Sequence, residues 1–413
     1  MSKTIPATEP PLCNSIPNNK MKIMKLLTSL LSFLLSGLLF LNACGPIRNL
    51  TNPPGSWHGN INFESKRPFY NAAKKNVFIV ADSKMTVLFD MLAPFYLFNA
   101  TEKANVYIVA RDRTPIFIKR DLFVKPQLTF EEADSMKLKA DVIVIPALSN
   151  RDEHQDTVLL NWIKAHFSDN TKMLAVCDGA STAAATGLYN GKPLTCHASD
   201  YNGLKAHFNK PHWVKNVAVT KSGNLFSTAG VSNAVEGSLT VISELFDKKT
   251  MQNVMANIYY PDAEIKTMHK SVAINGGIKL TVAKKIFFRK NKKISMLIEN
   301  GINEFDMASI VETYSRTLPA SFTTFNLNSS AIQTKYGLTL VSTGDTNIKS
   351  FDELHLLMSP SFSKEDEANV ANLKIIRYDK LQKQYLIDIC LKRIDELYGH
   401  RFENFVKVSL DYN

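Results

Sequence analysis

From Asn76 onward, short apolar runs alternate with longer stretches of helical periodicity. Asn76–Val80 predicts a buried strand, Met85–Phe98 a helix and Val106–Val109 a second strand. A hairpin-like pair follows at Ile116–Ile118 and Leu122–Val124, and Thr129 with Glu132 forms a capping box that opens another helix. Asp141–Pro146 is apolar on both faces, Thr157–Phe167 is helical, and Lys172–Val176 is a further strand. A last helix begins near Val231 and closes the unit near Phe246. Strands that alternate with helices in this way predict an α/β, doubly wound, mainly parallel sheet covered by helices on both faces.

Part of the pattern then recurs. Phe89-Asp90-Met91 returns as Phe305-Asp306-Met307, each opening a helix after a strand, the helices ending near Phe98 and Tyr314. Leu122–Val124 is matched by Leu338–Leu340, and Asp141–Ile145 by Glu353–Leu357. Matching spacing over about 70 residues reads as a partial second copy of the same fold in residues 291–413. That copy is expected to stop early: no strand-Cys-x-Gly turn follows Pro360, and Leu381–Tyr398 reads as a closing amphipathic helix.

The N-terminus has a different pattern. Lys20, Lys22 and Lys25 precede an apolar run from Leu26 to Leu41, followed by Asn42-Ala43-Cys44-Gly45. Basic flank, apolar run and small residue make a secretory signal, and Leu-x-Ala-Cys resembles a bacterial lipobox with Cys44 as the lipidated residue. A single membrane-spanning anchor is the rival reading, although the run is short for it and contains Ser and Thr. Residues 1–44 are thus expected to be a signal, with 1–20 an upstream extension of the start site. Residues 45–75, rich in Pro, Asn and Gly, read as a tether. The remaining boundaries are 76–250 for the first folded domain, 251–290 for a connecting segment and 291–413 for the second copy. This arrangement places the folded part in the cell envelope, on the membrane surface.

At 413 residues the chain is long enough for two domains that each bury a core. Its net charge of +11, from 49 Lys and Arg against 38 Asp and Glu, invites a nucleic-acid reading. The basic residues are dispersed, however, with small clusters such as Lys284-Lys285 and Arg289-Lys290 and no aromatic-interleaved stripe. A solvated surface near an anionic membrane is the reading taken, with no nucleic-acid partner. The five cysteines, Cys13, Cys44, Cys177, Cys196 and Cys390, are too scattered for a disulfide framework and lack zinc spacing, so no metal or other cofactor is expected. His154, His166, His207 and His212 read as surface residues, and Cys390 as a core thiol.

Candidate chemistry lies in Ala175-Val-Cys177-Asp-Gly179-Ala-Ser181, where an apolar strand meets a helix. Such a turn pushes a nucleophile out at the carboxyl edge of an open α/β sheet. The helix start is expected to lower the thiol pKa and to offer backbone N–H groups, at Asp178 and Gly179, to a developing negative charge. A buried core cysteine is the competing reading.

Several linked motifs add to this. Cys177-Asp-Gly179-Ala, then Thr186-Gly187-Leu-Tyr-Asn-Gly191, Thr195-Cys-His197 and Thr228-Ala-Gly-Val231, resemble the ThiJ/PfpI superfamily of class I glutamine amidotransferase-like fold. The nearest pattern is the subgroup of isocyanide hydratases and amidase-like halves of AraC-type regulators. The resemblance implies that Cys177 is the nucleophile, Asp90 the acid beside it, and His197 the histidine that closes the family's Thr-Thr-His segment. Two residues depart from the pattern. Asp178 puts a carboxylate next to the nucleophile, which opposes a low thiol pKa; a helix-capping role is the simpler expectation for it, a general acid/base the alternative. Cys196 stands where the family has Thr, leaving a Cys177–Cys196 disulfide conceivable. Asp90 has its own simpler reading as a cap on the first helix.

Three functions remain open on this reading. The first is a cysteine-dependent hydratase or amidase-like enzyme acting on a small molecule, with Asp90 moving the proton. The second is a non-catalytic ligand-binding or sensor module, and the third a stress-related thiol protein. The resemblance also implies a dimer, which two copies packed within one chain would imitate.

Overall fold

The computed structural model describes residues 57–59, 69–119, 121–148, 156–327, 331–344, 346–357, 362, 373–378 and 383–412. The signal and lipobox readings, including Cys44, and the surface reading of His154 lie outside these residues. Among the described residues, no helix is long and apolar enough to cross a membrane.

The first lobe is built on β1 (Lys75–Ala81), β2 (Ala104–Ala110), β5 (Leu128–Thr129), β6 (Val142–Ile145), β7 (Lys172–Ala175), β10 (Val219–Ser222) and β11 (Leu225–Thr228). They form one sheet in the order β10-β11-β7-β6-β1-β2-β5, parallel throughout except for the β10–β11 edge. β2 and β6 are buried along their whole length and β1 at all but its first residue, which is why their sequences run apolar instead of alternating. The order reverses beside β1, so the carboxyl ends of β1 and β6 border the natural ligand crevice of such a sheet.

The helices of this lobe are α1 (Leu88–Ala100), α2 (Phe130–Ser135), α3 (Thr157–His166), α4 (Gly179–Ala185), α5 (Tyr201–His207) and α6 (Ala234–Leu245). The capping box expected at Thr129 and Glu132 is present, with both reciprocal hydrogen bonds. α7 (Lys248–Asn257) and α8 (Gly276–Phe288) lead into the second lobe.

The second lobe carries β12 (Lys293–Leu297), α9 (Glu304–Ser315), β13 (Ser321–Phe325), β16 (Glu353–Leu356), β17 (Lys374–Arg377), α10 (Leu386–Tyr398) and α11 (His400–Leu410). Its sheet runs β13-β12-β16-β17, all parallel. This is the order β2-β1-β6-β7 of the first lobe, element for element. β17 adds a strand after Pro360, paired in parallel with β16, but no Cys-x-Gly turn follows it in the sequence. One expectation needs correction here. The chain ends in two helices, not one: Gly399, at φ 85°, turns it sharply between α10 and α11.

The lobes meet in two places. α1 packs against α9, with the Phe89 and Phe305 rings 5.6 Å apart. Contact with the first sheet on one side and α9 on the other explains why α1 is buried from Leu88 to Phe98 and has no polar face. The hairpins β3 (Ile116–Lys119)–β4 (Leu122–Val124) and β14 (Ala331–Gln333)–β15 (Thr339–Ser342) join in one antiparallel sheet, β14-β15-β4-β3. Leu340 pairs with Val124 and Ser342 with Leu122. One apolar core therefore runs through both lobes, from Val77 and Phe95 to Met307 and Ile394. Two further clusters lie within single lobes, around Phe78, Ile143 and Trp162 in the first and around Leu297, Phe325 and Leu354 in the second, so each lobe keeps a core of its own beside the shared one that buries α1 and α9.

The basic-surface reading fails at Lys285. Its ammonium is buried, donates to Asn291 Oδ1 at 2.9 Å and to the Leu318 carbonyl at 2.7 Å, and is pulled down to about 7 by burial.

Candidate active site around Cys177

Cys177 follows β7 at the carboxyl edge of the sheet, with φ 54°. A left-handed backbone is costly for a residue with a β-carbon, and at a strand-to-helix turn it is the mark of a nucleophile elbow. Two contacts hold it. Cys177 N–H donates to Thr228 Oγ1 at 3.3 Å, and Val176 N–H donates to the Ile145 carbonyl at 2.9 Å. Gly179 is required sterically: a β-carbon there would lie 2.1 Å from the Ile145 carbonyl oxygen. The elbow therefore rests directly on the end of β6.

The thiol is 4% exposed. Burial pushes its pKa well above the usual cysteine value, and the carboxyls of Asp90 and Asp178 push the same way. A hydrogen bond from the Asp178 backbone N–H and the charge of Arg316 oppose them without winning. The expectation that the helix start would lower this pKa is therefore reversed, because α4 is one short turn pair and the site is closed to water. Gly179 is also no oxyanion donor, since its N–H is given to the Val176 carbonyl at 2.8 Å.

Asp90 is fully buried in the first turn of α1, where it caps nothing. Its Oδ2 accepts from Ala147 N–H at 3.2 Å, and its Oδ1 has no hydrogen-bond partner. Burial, with Glu312 and Asp178 adding to it, raises its pKa well above the carboxylate range, which favours the protonated form.

Asp178 is at the N-cap position of α4, yet its side chain makes no capping bond, so the simple capping role does not hold. Burial and the neighbouring Asp200 bring its carboxyl up to about 7, against the pull of His197. His197 is buried, with Nδ1 3.2 Å from the Ser199 N–H and 3.6 Å from Asp200 Oδ2, while Nε2 has no partner. Burial alone would lower its pKa, but Asp200, Asp411 and Asp178 outweigh this and raise it. No hydrogen bond joins His197 to Cys177 among the described residues. Cys196 is a free buried thiol with its sulfur 3.6 Å from the His197 carbonyl, and Cys177 is free as well, so the conceivable disulfide is not formed. Cys390 is the expected buried thiol, under α10.

The second lobe brings residues that the motifs did not indicate. Glu312 and Arg316, at the end of α9, and Asp411, after α11, act electrostatically on Asp90, Cys177 or His197. A polar cleft of about 340 Å³ lies elsewhere on the same sheet edge, lined among others by Asp82, Lys84, Arg111 and Asp156. None of its lining residues belongs to the group around Cys177.

Residues 74–244 match the DJ-1/PfpI family. Isonitrile hydratase of Pseudomonas putida is 27% identical over 175 residues, spanning 42% of this chain and 74% of that protein. Protein dj-1beta of Drosophila melanogaster is 27% identical over 137 residues, 33% of this chain and 71% of that protein. Among solved structures, Drosophila melanogaster DJ-1beta superposes with a TM-score of 0.40 at 21% identity, covering 45% of this chain and 97% of that one. A ThiJ/PfpI family protein from Pseudomonas syringae gives 0.40 at 19% identity, covering 52% and 85%. The first lobe thus resembles the ThiJ/PfpI superfamily by its overall sequence as well as by its motifs, and the family match ends within that lobe.

Proposed function

We propose that this chain, with its DJ-1/PfpI-like first lobe, is a cysteine-dependent hydratase acting on a small uncharged molecule with an electrophilic carbon. The observation that carries this reading is the elbow itself: Cys177 is held at positive φ beside two buried carboxyls, Asp90 and Asp178, whose pKa values burial raises to different extents. Groups whose environments drive their pKa values apart divide the acid and base roles between them. Asp178, at about 7, takes the proton of the resting thiol as sulfur attacks carbon. Asp90, whose burial favours the protonated carboxyl, supplies the proton that the substrate gains.

With an isonitrile, the substrate class named by the Pseudomonas putida relative, the S–C bond forms as the carbon is protonated, giving a thioimidate. Water then adds and the thiol leaves, so one water is consumed, an N-formyl amine is released and Cys177 is regenerated. With a primary amide the thiol would instead add to the carbonyl and ammonia would leave, protonated by Asp90, giving a thioester that water cleaves to the carboxylate and the free thiol. A panel of uncharged isonitriles and primary amides, followed by proton NMR for formamide or carboxylate, tests this. Turnover that is absent, or that persists in Cys177→Ser, contradicts it.

The raised thiol pKa supports a second reading, a ligand-binding module in which Cys177 does no chemistry. Retained binding of a panel member without turnover would favour it. The same thiol pKa argues against a redox role, since oxidation follows thiolate character. Tethering to the envelope through Cys44 belongs to the proposal, on the strength of the lipobox-like segment alone. We further propose that the second lobe is a degenerate copy that imitates a dimer partner within the chain; the matching strand order and the Phe89–Phe305 contact support it.

A further inference from the structure

Six buried side-chain atoms around Cys177 have no hydrogen-bond partner: Asp90 Oδ1, Asp178 Oδ1, His197 Nε2, Glu312 Oε2, Arg316 Nε and Asp411 Oδ2. Buried polar atoms are ordinarily satisfied, and a concentration of orphans at one place marks a site made for something else to satisfy. Three of the six come from the second lobe and the C-terminus.

Their placement is fixed by contacts. Arg316 donates through Nη2 to Glu312 Oε1 at 2.7 Å and through Nη1 to the Ser409 carbonyl. Asp411 is docked beside the elbow's own support. Ser232 N–H and Oγ donate to the carbonyls of Leu410 and Asp411, both at 3.0 Å. A β-carbon on Gly230, two residues from Thr228, would lie 2.1 Å from Asp411 Cβ. Only glycine lets the C-terminal segment come this close.

Charge narrows the ligand. Arg316 already faces Glu312, Lys119 lies 3.9 Å from Glu312, His197 lies 3.6 Å from Asp200, and His269 lies 2.8 Å from Asp411. Arg316 and Lys119 thus share Glu312, and an anionic ligand would have to lie among the carboxyls of Asp90, Asp178, Glu312 and Asp411 in a buried site.

We infer that the second lobe completes the substrate site of Cys177: Arg316 Nε–H and Asp411 Oδ2, both buried and unpartnered, hold a small uncharged molecule with an acceptor at one end and a donor at the other. This deepens the proposed function, naming the half of the site that recognises substrate. Arg316 and Asp411 are positioning residues in it.

The test compares alkylation of Cys177 by neutral iodoacetamide and by iodoacetate in the full chain, followed by peptide mass spectrometry, with unfolding transitions as a folding control. In the parent, Cys177 is expected to favour the neutral reagent about tenfold more than free cysteine does. Glu312→Gln, which leaves the Arg316 charge unanswered, and Asp411→Asn are expected to cut that preference about fivefold. Arg316→Gln should change it in the opposite direction. This pattern of signs is one that a merely structural role would not produce. Preferences within about twofold of the parent in all three folded variants overturn the inference. So does a Cys177 that neither reagent reaches in the folded chain. The ratio is read without any turnover, so loss of the proposed enzymatic function and loss of this inference give separate results.

Discussion

Each lobe buries a polar cluster next to its parallel sheet, and the two clusters differ in how completely they are satisfied. In the second lobe, Glu353 on β16 accepts from Arg393 at 2.8 Å and from Lys292 at 3.0 Å. His355 bridges Glu353 at 2.9 Å and the Tyr378 hydroxyl at 2.7 Å, and Arg393 also donates to Tyr314 Oη at 3.1 Å. None of these side chains has an orphaned atom. Its charges are paired, and Glu353 is held far below the usual carboxylate range because His355 and Arg393 outweigh its burial. The cluster around Cys177 is the reverse, with orphaned atoms and the Asp90 and Asp178 carboxyls pushed upward. A satisfied network holds a fold together, whereas an unsatisfied one stores the cost of desolvation until a ligand relieves it.

The sharpest way to break this contrast is to cut the satisfied network. Glu353→Leu strands Arg393, Lys292 and His355 in the interior, and chemical denaturation should show a loss of about 3–5 kcal/mol. Next in size is Gly179→Ala, which drives a methyl into the Ile145–Pro146 backbone. It should cost about 1–3 kcal/mol in the same measurement and abolish turnover by moving the elbow.

Asp178→Asn separates the clusters by pH. The folded chain favours the protonated form of Asp178, whose pKa burial and the neighbouring Asp200 raise to about 7. Its contribution to stability is complete below the unfolded value of about 4 and is lost as the pH climbs to about 7. The Asn variant should therefore gain on the order of 1–2 kcal/mol over the parent at pH 8 and nothing at pH 4, read from melting curves across that range. Smallest in stability is Asp90→Asn, within about 1 kcal/mol because the amide can still accept from Ala147 N–H and replaces a half-unpaired carboxyl whose charged form burial disfavours. Its kcat should nonetheless fall about 100-fold through loss of the proton donor.

The first lobe was legible because its signals are local. Buried strands such as Val142–Ile145 cannot alternate, and Cys177-x-Gly179 announces a turn that only glycine permits two residues on. Asp90 was legible through the family motif, although its bond to Ala147 was not. β17 escaped notice because Lys374–Arg377 is four half-exposed residues with no turn signal beside it. Lys285 was misread because a charge run says nothing of an acceptor 33 residues away at Leu318. Glu312, Arg316 and Asp411 carry no motif at all. Their relation to Cys177 is made by the packing of α9 on α1 and by the glycine at 230, contacts that span more than 130 residues. The one faint local sign was the i,i+4 spacing of Glu312 and Arg316 at the end of a repeated helix.

The central claim is that Cys177 is a working nucleophile served by a base titrating near neutrality, in spite of its raised thiol pKa. It is tested most directly by the pH profile of kcat for an isonitrile or amide found in the panel, set beside the pH profile of Cys177 alkylation. The account predicts turnover that rises through about pH 7 with Asp178, while alkylation rises only at more alkaline pH with the thiol itself. Two profiles that rise together in the parent, with turnover unchanged in Asp178→Asn, would contradict it.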